Sequence, residues 1–248
     1  MSIQTEWVPM TVADGTRMRA YVAHPAGPPR AGLLVFQEAF GVNVHIRSVT
    51  ERFAREGYLS VAPELFHRTG DGIEIDYTDL ARAMPILRQV TTEGLSADIR
   101  AAYDWLQKDS GGKIATAAVG YCMGGRTAFL AAQAVPVACA ISYYGGGIAP
   151  SQFGPGLLDR VHDVQAPLLL FWGGLDTHIG PEQIQQVTGA LKAAKKAYVN
   201  VEFSDADHGF SCDARASYNA QAAGEAWALT RAFLETHAGA KVRKSANC

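Results

Sequence analysis

Two hydrophobic rhythms alternate along this chain. Ala31–Phe36 is a short unbroken apolar run, the mark of a strand buried on both faces, and further strands are predicted at Tyr58–Pro63, 113–120, 137–143, 167–172 and Tyr198–Phe203. Between them, apolar residues recur at helical spacing. Ile46, Val49 and Phe53 form one stripe within 45–56, closed by Gly57. Leu95, Ile99, Ala102 and Leu106 form another, with Ser96 before Asp98 as its cap region. Further helices are predicted at 124–134, at 182–195 with Ile184, Val187 and Leu191 inward, and at 216–237 with Ala223, Trp227 and Leu234 on one face. Arg17–His24 alternates strictly, with Met18, Ala20 and Val22 to one side, behind the turn Ala13-Asp14-Gly15. Strands alternating with helices predict an α/β fold: a mostly parallel central sheet with helices on both faces and an antiparallel N-terminal edge. No break in composition divides the chain, so a single domain over 1–248 is expected. The longest irregular segments are 63–79 and 145–165, and long loops at strand C-terminal ends are where such sheets build sites.

Composition narrows the possible functions. With 248 residues, 48% of them apolar, the chain can bury a large core. A net charge of −2 and a pI near 6.4, without a lysine/arginine block, give no electrostatic footprint for nucleic acid. No apolar run approaches the roughly 18 residues of a membrane span, and MSIQTEWVPM has neither a basic nor an apolar signal region. Cys122, Cys139, Cys212 and Cys248 are irregularly spaced with no CxxC pair, which predicts a reducing, cytoplasmic setting rather than a disulfide framework. His162, His178 and His237 show no metal-ligand spacing, and 120–125 lacks the pattern of a phosphate or dinucleotide loop. Neither metal nor cofactor is expected. A monomer or small homo-oligomer is.

The chemistry concentrates in Gly120-Tyr121-Cys122-Met123-Gly124. This is the G-x-C-x-G form of a nucleophile elbow, preceded by a strand and followed by a helix as that turn requires. Glycines two positions either side of the nucleophile relieve collisions in so sharp a bend. Downstream, Asp176 follows the strand at 167–172, and His208 follows Tyr198–Phe203. The order nucleophile, acid, histidine, each after its own strand, matches a triad template. Taken singly, the cysteine would pass for a small buried hydrophobe, the aspartate for a loop cap and the histidine for a loop residue.

The stretches Gln37-Glu38-Ala39-Phe40-Gly41, Gly120-Tyr121-Cys122-Met123-Gly124-Gly125, Gly173-Gly174-Leu175-Asp176 and Asp207-His208-Gly209-Phe210 together resemble the dienelactone hydrolase (carboxymethylenebutenolidase) family, over nearly the whole chain. The resemblance implies an α/β-hydrolase fold that cleaves small, anionic esters or lactones. Cys122 would be the nucleophile, His208 the base and Asp176 its orienter, with the N–H groups of Ala39 and Met123 as oxyanion hole. It also implies that Glu38 holds the resting thiol. A carboxylate about 4 Å from a thiolate costs roughly 4 kcal/mol at an effective dielectric of about 20, against about 0.3–2 kcal/mol of help from a helix N-terminus. A neutral resting thiol is therefore expected unless His208 is protonated.

For the substrate, Arg68 matches the family's arginine in that loop and would pair a substrate carboxylate through its fork. Some members carry a second arginine just after the catalytic histidine; 208–213 lacks it, although Arg215 is near, which separates this chain from the family's reference lactones. Tyr143 ends a strand where it would line the pocket or simply pack. Arg126, one turn past Cys122, would pair with a carboxylate beneath the site, Cys139 belongs to the core, and Cys212 to packing. The rival readings are a broader carboxylesterase or thioesterase on the same scaffold, and a catalytically idle ligand-binding protein.

Overall fold

The computed structural model describes residues 2–112, 114–151 and 154–239; Cys248 and the predicted strand start at Lys113 lie outside them. Fifteen elements alternate along the chain: β1 (Gln4–Thr11), β2 (Arg17–His24), β3 (Ala31–Phe36), α1 (Val44–Arg55), β4 (Tyr58–Pro63), α2 (Leu80–Leu87), α3 (Thr92–Asp109), β5 (Thr116–Tyr121), α4 (Met123–Ala134), β6 (Ala140–Tyr143), a short 3-10 helix (Leu158–Asp163), β7 (Leu168–Gly173), α5 (Pro181–Ala193), β8 (Tyr198–Phe203) and α6 (Ala220–His237). The eight strands form one sheet in the order β1-β2-β4-β3-β5-β6-β7-β8. β1 and β2 pair antiparallel, as do β2 and β4, and every other pairing is parallel. The antiparallel N-terminal edge and the parallel centre are as the hydrophobic pattern predicts. Every residue of β3, β4, β5, β6 and β7 is buried, which is why Ala31–Phe36 reads as an unbroken apolar run.

The chain order reverses at β3, which has β4 on one side and β5 on the other. Ligands in open α/β sheets bind outside the strand C-termini at such a switch point. Here Phe36 pairs with Gly120, so the loops leaving β3 and β5 emerge side by side.

Helix boundaries depart from the pattern where polar caps decide them. α3 starts at Thr92, because Thr91 in extended conformation accepts the Gly94 N–H at 3.0 Å; Ser96 lies inside the helix and donates back to the Thr92 carbonyl. Asn219 sets the start of α6 by accepting the Ala222 N–H at 3.1 Å. The buried stripe of α6 is Ala222, Ala226, Thr230 and Leu234, shifted round from the predicted face, while Trp227 packs on Phe53 beneath the Arg52 guanidinium. α2 is missing from the sequence reading because Pro85 sits inside its eight residues and breaks the expected pattern. No helix among the described residues is long and apolar enough to cross a membrane.

Candidate active site

Cys122 occupies the bend between β5 and α4 with φ 55° and ψ −118°, a region that non-glycine residues seldom enter. Its surroundings fix that conformation. A Cβ on Gly120 would lie 1.8 Å from the Gly124 carbonyl oxygen, and one on Gly124 would lie 2.2 Å from the Phe36 carbonyl oxygen. Backbone bonds clamp the bend as well: Cys122 N–H donates to Tyr143 at 3.0 Å, and the Cys122 carbonyl accepts from Gly125 at 2.9 Å. Met123 is the first residue of α4, so its N–H has no intrahelical acceptor. Ala39, on the neighbouring loop, lines the same cavity as Met123 and Cys122. Buried Gln37 braces that loop, accepting the Leu65 N–H at 3.1 Å and donating to the Glu38 carbonyl at 3.3 Å.

His208 and Asp176 meet at this bend. Asp176 Oδ2 accepts from His208 Nδ1 at 2.7 Å, while Oδ1 accepts the backbone N–H groups of His178 at 2.7 Å and Ile179 at 3.1 Å. Burial pushes the Asp176 pKa up, but the bond to His208, its charge and the two amides outweigh it, leaving the carboxyl below its ordinary value. For His208 burial pulls down, yet the Cys122 sulfur and the Asp176 carboxylate more than offset it, raising the imidazole to about 10. The ring thus lies between a sulfur and a carboxylate that both favour its protonated form.

Glu38 is completely buried, but it is not bound to the thiol as expected. Its Oε1 accepts from Arg215 Nη1 at 3.2 Å, and Oε2 has no hydrogen-bond partner among the described residues. The positive neighbour reduces the carboxylate–thiolate repulsion that would otherwise favour a neutral resting thiol. Burial works against the Arg215 charge, but Glu38 and the Cys122 sulfur raise its pKa nonetheless. Arg215 also lies over the faces of Phe40 and Tyr77. Nothing local in the sequence signals this pairing.

Cys122, Met123, His208 and Arg215 open on a cavity of about 520 Å³ whose other wall is apolar, built by Phe40, Leu80, Met84, Leu87 and Val90. Two expected substrate contacts do not line it. Arg68 is occupied elsewhere: it donates twice to the fully buried Asp98, both at 2.9 Å, and to Asp14 at 2.7 and 2.8 Å. Its fork is filled by carboxylates of the protein itself, and His67 completes the cluster on Asp98 at 3.0 Å. Tyr143 is buried behind the site, its hydroxyl paired with Thr230 at 2.7 Å and its ring against Tyr121 and Phe171. Packing is its role in the fold. Arg126 does line the cavity, and among the described residues it pairs with no carboxylate; its Nη2 donates to Thr92 Oγ1 at 2.9 Å.

Cys139 is core, and burial pushes its thiol up to about 12. His45, Cys212 and Asp213 place one ligand atom each within 4.8 Å of one another, a grouping the sequence spacing does not reveal. Burial, with Glu38 adding, pushes the Cys212 thiol up to about 11, and a protonated sulfur is a poor metal ligand.

Comparison with known proteins fits this geometry. The profile of the dienelactone hydrolase family matches residues 18–238. A candidate carboxymethylenebutenolidase from Synechocystis sp. is 34% identical over 227 residues, covering 89% of this chain and 92% of that protein. Its counterpart from Escherichia coli (strain K12) is 32% identical over 235 residues, covering 92% and 86%. The crystal structure of a candidate dienelactone hydrolase from Klebsiella pneumoniae superposes with a TM-score of 0.83 at 32% identity, covering 94% of this chain and 98% of that one.

Proposed function

Because the chain belongs to the dienelactone hydrolase family and is a carboxylic ester hydrolase, we propose that it cleaves a small ester or lactone through a thioester on Cys122. The observation that supports this reading is the His208–Asp176 bond of 2.7 Å held at the same cavity as the elbow cysteine. The Cys122 thiolate attacks the acyl carbon, and the oxyanion that forms is met by the N–H groups of Met123 and Ala39. His208, protonated at rest, gives its proton to the departing alkoxide; the neutral ring then takes one from the water that cleaves the thioester. Asp176 keeps the Nδ1 proton in place, so that Nε2 does the exchanging. Glu38 is held by Arg215 in the free protein. A substrate group that engages Arg215 frees the Glu38 carboxylate, which then stands beside the reacting centre as a further proton acceptor.

The apolar wall of Phe40, Leu80, Met84, Leu87 and Val90 favours a second reading on the same chemistry, a carboxylesterase or thioesterase of broader range. The test is rapid mixing with an excess of p-nitrophenyl esters, followed by intact mass. A burst of nitrophenol with one acyl group on the protein is expected, absent in Cys122→Ala. Turnover that survives Cys122→Ala removes the proposal. A panel of lactones, aryl esters and thioesters separates the narrow substrate class from the broad one.

A further inference from the structure

One charged group at the cavity lacks a counter-charge. His208 touches Asp176 and Arg215 touches Glu38, but among the described residues Arg126 makes no ion pair, and its Nε is buried without any hydrogen-bond partner. One amino group reaches Thr92 Oγ1, a neutral acceptor at the first turn of α3. Burial disfavours the guanidinium and lowers its pKa, and only Glu93, exposed on α3, acts from longer range in the other direction. A half-buried guanidinium whose Nε is sealed and unpaired is a cost to the fold, and Arg126 lines the cavity where an incoming ligand would relieve it.

The position is also built. Arg126 stands in the first turn of α4, four residues after Cys122, and both side chains line the same cavity. Its stem lies beside the glycine loop after β6, where a Cβ on Gly147 would stand 3.3 Å from Arg126 Cδ. Val90 and Leu87 line the same cavity, so the guanidinium shares its space with an apolar wall.

We propose that Arg126 is the specificity residue of this cavity and binds a carboxylate carried by the ester or lactone substrate, at a point separate from Arg215. The inference rests on the hydrolase reading above and narrows it to substrates with an apolar body and an anionic end. A planar fork with free donors matches the two oxygens of a carboxylate, which a lysine at the same point meets only as a single charge.

The test compares matched ester pairs. One arm places the anion on the acyl side: p-nitrophenyl hemiesters of succinate, glutarate and adipate against neutral esters of equal length. The other places it on the leaving group: acetates of hydroxybenzoic acids against phenyl acetate. In Arg126→Gln the kcat/KM ratio of anionic to neutral ester is expected to fall by at least about tenfold in one arm, the loss of a charged hydrogen bond, and Arg126→Lys should regain part of it. Ratios unchanged in both arms overturn the proposal, as does a fall of equal size for the anionic and neutral members of every pair. A calorimetric titration of adipate into Cys122→Ala protein, with and without Arg126→Gln, judges the subsite separately from turnover. Weaker binding in the double variant supports it, and equal binding refutes it. If no ester is turned over at all, the hydrolase reading fails while this titration still decides the role of Arg126.

Discussion

Replacing Asp176 by Asn removes one charge and one acceptor oxygen while keeping the side-chain shape. In the native site Oδ1 serves two backbone N–H groups and Oδ2 serves His208. Asparagine has a single oxygen for these three donors. Turned toward His178 and Ile179, it keeps both amides paired and presents its NH2 to His208. Turned the other way, it leaves the buried Ile179 N–H unpaired, at about 1–3 kcal/mol, and strips the part-buried His178 N–H of its partner as well. The first orientation therefore wins. It makes Nδ1 an acceptor, moves the ring proton to Nε2, and leaves no site on the imidazole to take a proton from water. The lost carboxylate also withdraws up to about 4 kcal/mol of attraction for the imidazolium at an effective dielectric near 20, which is close to a thousandfold in equilibrium terms. Together these predict a fall in kcat/KM of roughly a thousandfold or more for Asp176→Asn, with deacylation hit harder than acylation. Stopped-flow release of nitrophenol, intact mass for a trapped thioester and near-UV circular dichroism for folding make up the assay. A folded variant within about fivefold of the parent would refute the tautomer argument.

Gly124→Ala places a methyl group 2.2 Å from the Phe36 carbonyl oxygen and 2.5 Å from that of Gln37, so α4 must back away from β3; urea unfolding should show a loss of about 1–3 kcal/mol, and activity should fall further because the Met123 amide moves with the helix. Arg68→Ala leaves the wholly buried Asp98 with His67 as its remaining partner. A stability loss of about 3 kcal/mol is expected, with anionic and neutral esters affected alike, and a selective rise in KM for anionic esters would restore Arg68 to the substrate side. His208 should hold its proton until the pH approaches about 10, since its folded pKa lies above the ordinary 6.5. Leaving-group protonation should therefore weaken only as pH rises through that value. Cys122→Ser removes the sulfur charge that raises the ring, so its NMR titration should move to lower pH; an unmoved titration would break the link between sulfur and imidazole.

Much of this architecture is legible in the sequence because it obeys local rules. Strands sealed on both faces must be apolar, and a bend that brings Gly124 against β3 admits no side chain there, so β3 to β7 and the elbow announce themselves. Asp176 and His208 stand at strand ends and inherit their positions from the sheet. Contacts between distant loops carry no such imprint. Glu38 and Arg215 are 177 positions apart, and only the packing of the loop after His208 against the loop after β3 joins them. Arg68 misleads for the same reason: its partners Asp14 and Asp98 belong to separate elements, and no periodicity reveals that they fill its fork before any ligand arrives. α2 hides behind Pro85, although it supplies much of the cavity's apolar wall.

The unusual backbone at residue 122 is dictated by its neighbours and not by sulfur. Its geometry comes from the glycines at 120 and 124, the amide bond to Tyr143 and the start of α4. The scaffold is thus a socket indifferent to which small nucleophile it holds. An exchange of thiol for hydroxyl alters the reactivity of the tip without asking the surrounding chain to refold, so chemistry and architecture can be varied one at a time in this molecule.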